Sequence, residues 1–192
     1  MTDLSSPVAT MRPGIGPRTL GVLLFLGSES MIFLSVIALY ITGQGHPGAP
    51  TAHDTLEAGR MIPFSIALWL SSLTMWLAPR RGLRLWLGGT IVLGAIFLGG
   101  ELSEWLSLFG QQVTASNDVF STAFFTLTGI HGMHVIVGLL MMLAMLGYSY
   151  RGHLTHERDS AFELVSIYWH FVDGMWVLIF SVVYIWSAAL GG

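Results

Sequence analysis

Five long apolar runs, separated by short polar clusters, make up most of this chain. They cover Arg18–Thr42, Met61–Ala78, Leu83–Phe109, Phe120–Tyr150 and Ala161–Leu190. Each is close to or longer than the roughly 20 residues that cross a bilayer as a helix. The pattern predicts an all-α polytopic membrane protein with five transmembrane helices. Pro79 is expected to stop the second helix. The last three runs exceed the required length, so they tilt or project beyond the lipid. The intervening segments break helices. Gly43–Gly59 contains Gly-Gln-Gly-His-Pro-Gly-Ala-Pro, and Ala115-Ser116-Asn117-Asp118 offers capping residues before the fourth run. Residues 1–17 carry Pro7, Pro13, Gly14, Gly16 and Pro17 and read as a flexible arm. Residues 18–192 read as one transmembrane domain. The first run is too long for a signal-peptide core and shows no small-residue cleavage site, so it is taken as a retained helix.

Composition supports a membrane protein and excludes several functions. The chain is 53% hydrophobic and 10% charged, against about 25% charged in soluble domains. A net charge of −3 without a basic tract argues against nucleic acid as a partner. The absence of cysteine excludes disulfides, thiolate metal sites and iron–sulfur clusters.

All eight basic residues are arginine, and their distribution orients the chain. Arg12, Arg18, Arg80, Arg81, Arg84, Arg151 and Arg158 fall on one side of a five-span arrangement, leaving only Arg60 on the other. By the positive-inside rule the N-terminus is cytoplasmic and the C-terminus outside. Arg80, Arg81, Arg84 and Arg151 are then placed to meet anionic lipid headgroups. Trp86, Trp105, Tyr148, Tyr150 and Trp186 lie near span ends, as interfacial anchors do. Trp69, Trp76 and Trp176 read as packing residues.

The candidate chemistry lies in ionisable groups inside the spans. A charge at a helix centre costs about 2.5–3.5 kcal/mol on insertion scales, so each such group needs an answering partner. Glu29 sits roughly 15 Å into the first span at 1.5 Å per residue. It reads either as a proton-handling group or as a carboxyl hydrogen-bonded within the bundle. His131 and His134 share a helix face, as do His170 and Asp173. With Glu29 and Glu163 these could form a metal site, but His131-Gly132-Met133-His134 lacks the Glu-x-x-His pattern of di-iron bundles. The favoured reading is that His131, His134, Glu163, His170 and Asp173 bond one another across helices. Glu101 and Glu104 fall late in the third span and read as solvated or capping groups. His46, His53, His153 and His156 read as loop surface.

Three blocks carry a family resemblance. The first is Phe25-Leu26-Gly27-Ser28-Glu29-Ser30-Met31-Ile32-Phe33. The second is Phe124-Phe125-Thr126-Leu127-Thr128-Gly129-Ile130-His131-Gly132-Met133-His134-Val135-Ile136-Val137-Gly138. The third is Phe162-Glu163 followed by Tyr168-Trp169-His170-Phe171-Val172-Asp173 and Trp176. These resemble subunit III of the haem–copper oxidases, the cytochrome c and quinol oxidase family, in its short five-helix bacterial form. The resemblance implies a bacterial plasma-membrane location and a subunit with no redox centre, catalytic residue or metal of its own. Haem and copper would reside in partner subunits. The chain would pack on subunit I, bind phospholipid, and support proton uptake and durability of the complex. The rival readings are an accessory subunit of a nitric oxide reductase-type complex and a stand-alone membrane protein handling metal or protons.

Overall fold

The computed structural model describes residues 16–43, 58–116, 119–151 and 160–186. Within them lie five helices: α1 (Pro17–Gly43), α2 (Ala58–Arg81), α3 (Leu83–Gly110), α4 (Val119–Tyr150) and α5 (Ser160–Phe180). The chain beyond α5 continues as a π-helical turn, Ser181–Trp186. All five are long and apolar enough to cross a membrane, and no strand occurs among the described residues. The N-terminal arm and the loop histidines His46, His53, His153 and His156 lie outside the described residues, as do Arg12 and Arg158.

One expected boundary is wrong. Pro79 lies inside α2, which runs on to Arg81. A proline removes its own backbone donor and crowds the carbonyl four residues back, and here it stands at the last turn, where few helical bonds follow it. The break falls instead at Gly82, whose φ of 123° is open to glycine alone at little cost. This single residue joins α2 to α3 as a tight antiparallel hairpin.

The helices pack up and down around α4 and α5. α4 touches α1, α3 and α5, whereas α5 touches α1, α2 and α4. The hairpin α2–α3 thus closes one side and α1 the other. Trp169, Trp176, Tyr40, Phe33 and Phe97 are the largest fully buried side chains. Two indoles fasten α5 to α2. Trp169 Nε1 donates to Ser71 Oγ at 3.0 Å, and Trp176 Nε1 donates to Ser65 Oγ at 3.0 Å. Trp169 also fills the space left by two glycines. A Cβ at Gly94 would lie 2.8 Å from its ring, and one at Gly138 would lie 2.7 Å from it. At the far end of the core, the Tyr40 hydroxyl donates to the Val183 carbonyl in the π-helical turn, at 3.3 Å.

The described arginines sort as their sequence positions required. Arg84 Nε donates to Ser149 Oγ at 3.0 Å and Arg84 Nη2 to the Ser149 carbonyl at 2.7 Å. That contact brings the α2–α3 turn and the end of α4 together, and with them Arg80, Arg81, Arg84 and Arg151. Arg60 lies at the opposite end, where its Nη1 donates to Ser107 Oγ at 2.8 Å.

Of the tryptophans read as packing residues, Trp69 is 37% exposed but packs edge-on against Phe180 of α5 at a centroid distance of 5.9 Å, whereas Trp76 is 52% exposed with Arg80 over its ring at 3.7 Å. An indole near a bilayer interface gains from a nearby cation as much as from packing.

Candidate functional site

The polar centre forms where α1, α4 and α5 meet. Glu29 Oε2 of α1 lies 3.2 Å from His134 Nε2 of α4. The other ring nitrogen, Nδ1, lies 2.7 Å from the Ile130 carbonyl. A carbonyl only accepts, so the proton on Nδ1 is assigned. A hydrogen bond between Nε2 and the carboxyl then needs one proton between them, on oxygen or on nitrogen, and each group serves as the other's polar partner inside the apolar span. The Tyr168 hydroxyl of α5 donates to the His134 carbonyl at 3.0 Å, tying the third helix to the same point. Phe33 closes the pair from α1, its ring centroid 5.3 Å from that of His134.

The pair opens onto a groove of about 670 Å³ between α1, α4 and α5. Its walls are mostly apolar, including Phe25, Val137, Met141, Leu164 and Val165, with Glu29, His134 and Tyr168 as the polar groups. A mostly apolar cleft with a few convergent polar groups is the general form of a small-molecule site.

His131 behaves differently from His134 although they share a helix. It is fully buried, stacked on Trp176 at a centroid distance of 4.9 Å and edge-on to Phe97 at 5.6 Å. Neither ring nitrogen has a hydrogen-bond partner among the described residues. Glu101 and Glu104 are not solvated as expected: they are 6% and 4% exposed, inside the bundle. Glu101 packs its carboxyl against Gly132, where a Cβ would come within 2.9 Å of Oε2. The helix ends within a residue of its expected end, and it is the face it turns inward that buries these carboxyls, with Glu101 against Gly132 of α4.

The expected network of mutual bonds among His131, His134, Glu163, His170 and Asp173 does not form. His134 pairs with Glu29, and His170 Nδ1 lies 3.2 Å from Ser72 Oγ on α2. Glu163 is exposed near the start of α5. Helical spacing sets which residues share a face but not which neighbouring helix that face meets. The residues missed from the sequence are Ser72, which meets His170, and Tyr168, which meets His134. A hydroxyl run inside a span, Ser71-Ser72-Leu73-Thr74, was the available signal for the first.

The class of protein follows from this arrangement. It is a polytopic helical membrane protein whose polar groups join helices, with no group of three or more histidine, aspartate or glutamate side chains arranged to hold a metal among the described residues. The family model described as "Cytochrome c oxidase subunit III" matches residues 80–188. The chain is 34% identical over 181 residues to the cytochrome bo(3) ubiquinol oxidase subunit 3 of Pseudomonas aeruginosa, covering 90% of this chain and 87% of that protein. It is 34% identical over 178 residues to the cytochrome c oxidase subunit 3 of Thermostichus vulcanus, covering 88% and 87%. Against the subunit of the same description from Bacillus sp. strain PS3 it is 35% identical over 176 residues, covering 88% and 85%. The chain belongs to the subunit III family of the haem–copper oxidases, as a multi-pass protein of a bacterial membrane.

Proposed function

We propose that this chain packs directly on the haem–copper catalytic subunit I of a respiratory terminal oxidase. There it serves as a noncatalytic subunit that binds phospholipid and supports proton uptake. The oxidase reduces oxygen to water while moving protons outward, and the haem and copper belong to its partners. The observation that carries this reading is the Glu29–His134 pair at the floor of an apolar groove. It couples a proton-exchanging group to a space suited to an acyl chain. Glu29 and His134 are the proton-related groups in this reading. His131, Glu163, His170 and Asp173 hold the bundle and its contacts.

The arginine-bearing end supports the lipid role. Arg80, Arg81, Arg84 and Arg151 gather at the end of the bundle where the α2–α3 turn meets the end of α4, and they would meet anionic headgroups on the cytoplasmic side. Arg84 gives Nε and Nη2 to Ser149, which among the described residues leaves its Nη1 for a phosphate. The N-terminus is cytoplasmic and the C-terminus outside in this orientation.

The test is purification of the chain in mild detergent, with a visible spectrum, metal analysis and lipid mass spectrometry of what accompanies it. Haem and copper arriving with a large partner, and lost when the chain is isolated, support the reading. Metal retained by the isolated chain without a haem-bearing partner overturns it and returns attention to His131, His134 and His170 as ligands.

A further inference from the structure

α1 is held unevenly along its length. It packs on α4 and α5. Among its buried residues, Phe33, Ile37, Tyr40 and Gly43 follow Glu29 and only Leu26 precedes it. The C-terminal half is firmly seated. The Tyr40 ring lies 5.1 Å from that of Phe120, centroid to centroid, and its hydroxyl donates to the Val183 carbonyl. A Cβ at Gly43 would lie 3.2 Å from Val119 Cγ1 and 3.5 Å from the Phe120 backbone nitrogen. The glycine thus lets α1 close onto the first turn of α4.

The N-terminal half stands across the groove from the rest of the bundle. Val22, Phe25 and Glu29 form its wall there, and Met141 and Val165 line the far side. Leu23, Leu24 and Phe25 are exposed. A Cβ at Gly21 or at Gly27 would meet nothing within 4 Å. The hydroxyls of Ser28 and Ser30 donate to the Phe25 and Leu26 carbonyls of α1 itself, and so to no other helix. The Glu29–His134 contact is the polar link at the boundary between the two halves. Its α4 side is fixed twice, by the Ile130 carbonyl at Nδ1 and by the Tyr168 hydroxyl at the His134 carbonyl. A segment with few buried contacts opens at a lower free energy than the core it adjoins.

We infer that α1 is a hinged wall of the groove, pivoting at its Tyr40–Gly43 end, and that the Glu29–His134 hydrogen bond is the latch that holds its N-terminal half closed. With the latch made, the wall stands against α4 and α5 and retains what the groove contains. With the latch broken, the wall swings outward and the groove opens sideways to an apolar chain. The inference goes beyond the lipid-binding reading above and rests on it only for the identity of the molecule exchanged.

Distance measurements between paired nitroxides, on the full chain in lipid nanodiscs, test it. The chain has no cysteine, so labels attach only where cysteine is introduced. Leu20→Cys with Leu143→Cys reports the N-terminal half of α1 against α4. Leu39→Cys with Ile185→Cys reports the seated end. All four positions are exposed. Glu29→Ala should lengthen and broaden the 20–143 distances and leave 39–185 unchanged. His134→Phe, which removes the latch from its other side, should give the same selective change. Glu29→Gln keeps a donor for Nε2 and should leave both pairs as they are. An unchanged 20–143 distance in Glu29→Ala and His134→Phe overturns the latch, because packing alone then holds the wall. Equal broadening of both pairs also overturns it, because the helix has then loosened throughout and has no pivot. Loss of deuterated phosphatidylglycerol from the chain, followed by native mass spectrometry during exchange into unlabelled nanodiscs, reads the consequence. Glu29→Ala should lose it about threefold faster, the scale set by a single interhelical hydrogen bond. Selective widening with unchanged lipid loss keeps the latch and removes phospholipid as the occupant of the groove.

Discussion

The side chains of Glu29 and His134, 105 residues apart in the chain, meet across the α1–α4 interface with Oε2 3.2 Å from Nε2. This contact joins a helix that otherwise packs mainly through apolar side chains to the centre of the bundle. It also explains how two ionisable groups persist in the same layer. Each is the other's partner, and the Ile130 carbonyl fixes which nitrogen of His134 faces the carboxyl.

Glu29→Gln should preserve the fold, because a glutamine amide donates to the same Nε2. Glu29→Ala should fold with a lower melting temperature. Hydrogen bonds between membrane helices contribute about 0.6 kcal/mol on average and up to about 1.7 kcal/mol. A double-mutant cycle of Glu29→Ala with His134→Phe, read by thermal denaturation in detergent, should give a coupling in that range. A coupling of zero means the contact is not made. In the assembled oxidase, Glu29→Gln should keep normal haem content while reducing sustained turnover. Loss of all haem from that variant would make Glu29 an assembly residue and remove its proton role.

His131 offers the contrasting case on the same helix. Its ring stacks on Trp176, and its two nitrogens have no hydrogen-bond partner among the described residues. Replacing a buried, unsatisfied polar group with an apolar one of similar shape is nearly neutral or stabilising. His131→Phe should therefore melt at or above the unsubstituted temperature, while His134→Phe melts below it. A large loss of stability on His131→Phe would reveal a hydrogen-bonding partner for the imidazole.

Much of this architecture was legible in advance, for a physical reason. A bilayer imposes one length and one polarity on every span, so α1, α3 and α4 fall within a residue or so of the hydrophobic runs. The end of α2 was misplaced because a proline in the last turn disturbs few helical bonds, and Gly82 carries the turn. The site was legible in its residue types but not in its pairings. Glu29 and His134 announce themselves as ionisable groups inside spans. That they meet each other depends on the rotation of α1 against α4, which sequence spacing within one helix does not encode. Glu101 and Glu104 were misread for a similar reason. Distance from the helix end suggested an interface, whereas packing against Gly132 buries Glu101.

The arginines yield a prediction about lipid. Arg80 lies over Trp76, which places its guanidinium at the arginine-bearing end of the bundle beside Arg81. Each cationic side chain near an anionic membrane surface contributes about 1 kcal/mol of attraction. The double variant Arg80→Ala with Arg81→Ala should therefore lose roughly 2 kcal/mol of attraction to anionic lipid. Native mass spectrometry of the complex should show less retained phosphatidylglycerol while zwitterionic lipid is unchanged. Equal loss of both lipid types would mean the arginines act on the fold and not on headgroup charge.

Trp169 sets the tightest steric condition in the core. Its indole is held between α3 and α4, where Gly94 and Gly138 leave no room for a methyl group. Its Nε1 is committed to Ser71 on α2, so the ring cannot swing away without breaking a buried bond. Overpacking a core of this kind costs about 1–3 kcal/mol. Gly138→Ala should lower thermal stability by that amount even though alanine is the better helix former. Gly88→Ala, at a site where a Cβ meets nothing within 4 Å, should be neutral or stabilising and serves as the control. Combining Gly138→Ala with Trp169→Leu should cost less than the sum of the two single changes, because the smaller side chain relieves the clash. Strict additivity in that pair would mean that the glycine is required for some reason other than the indole that faces it.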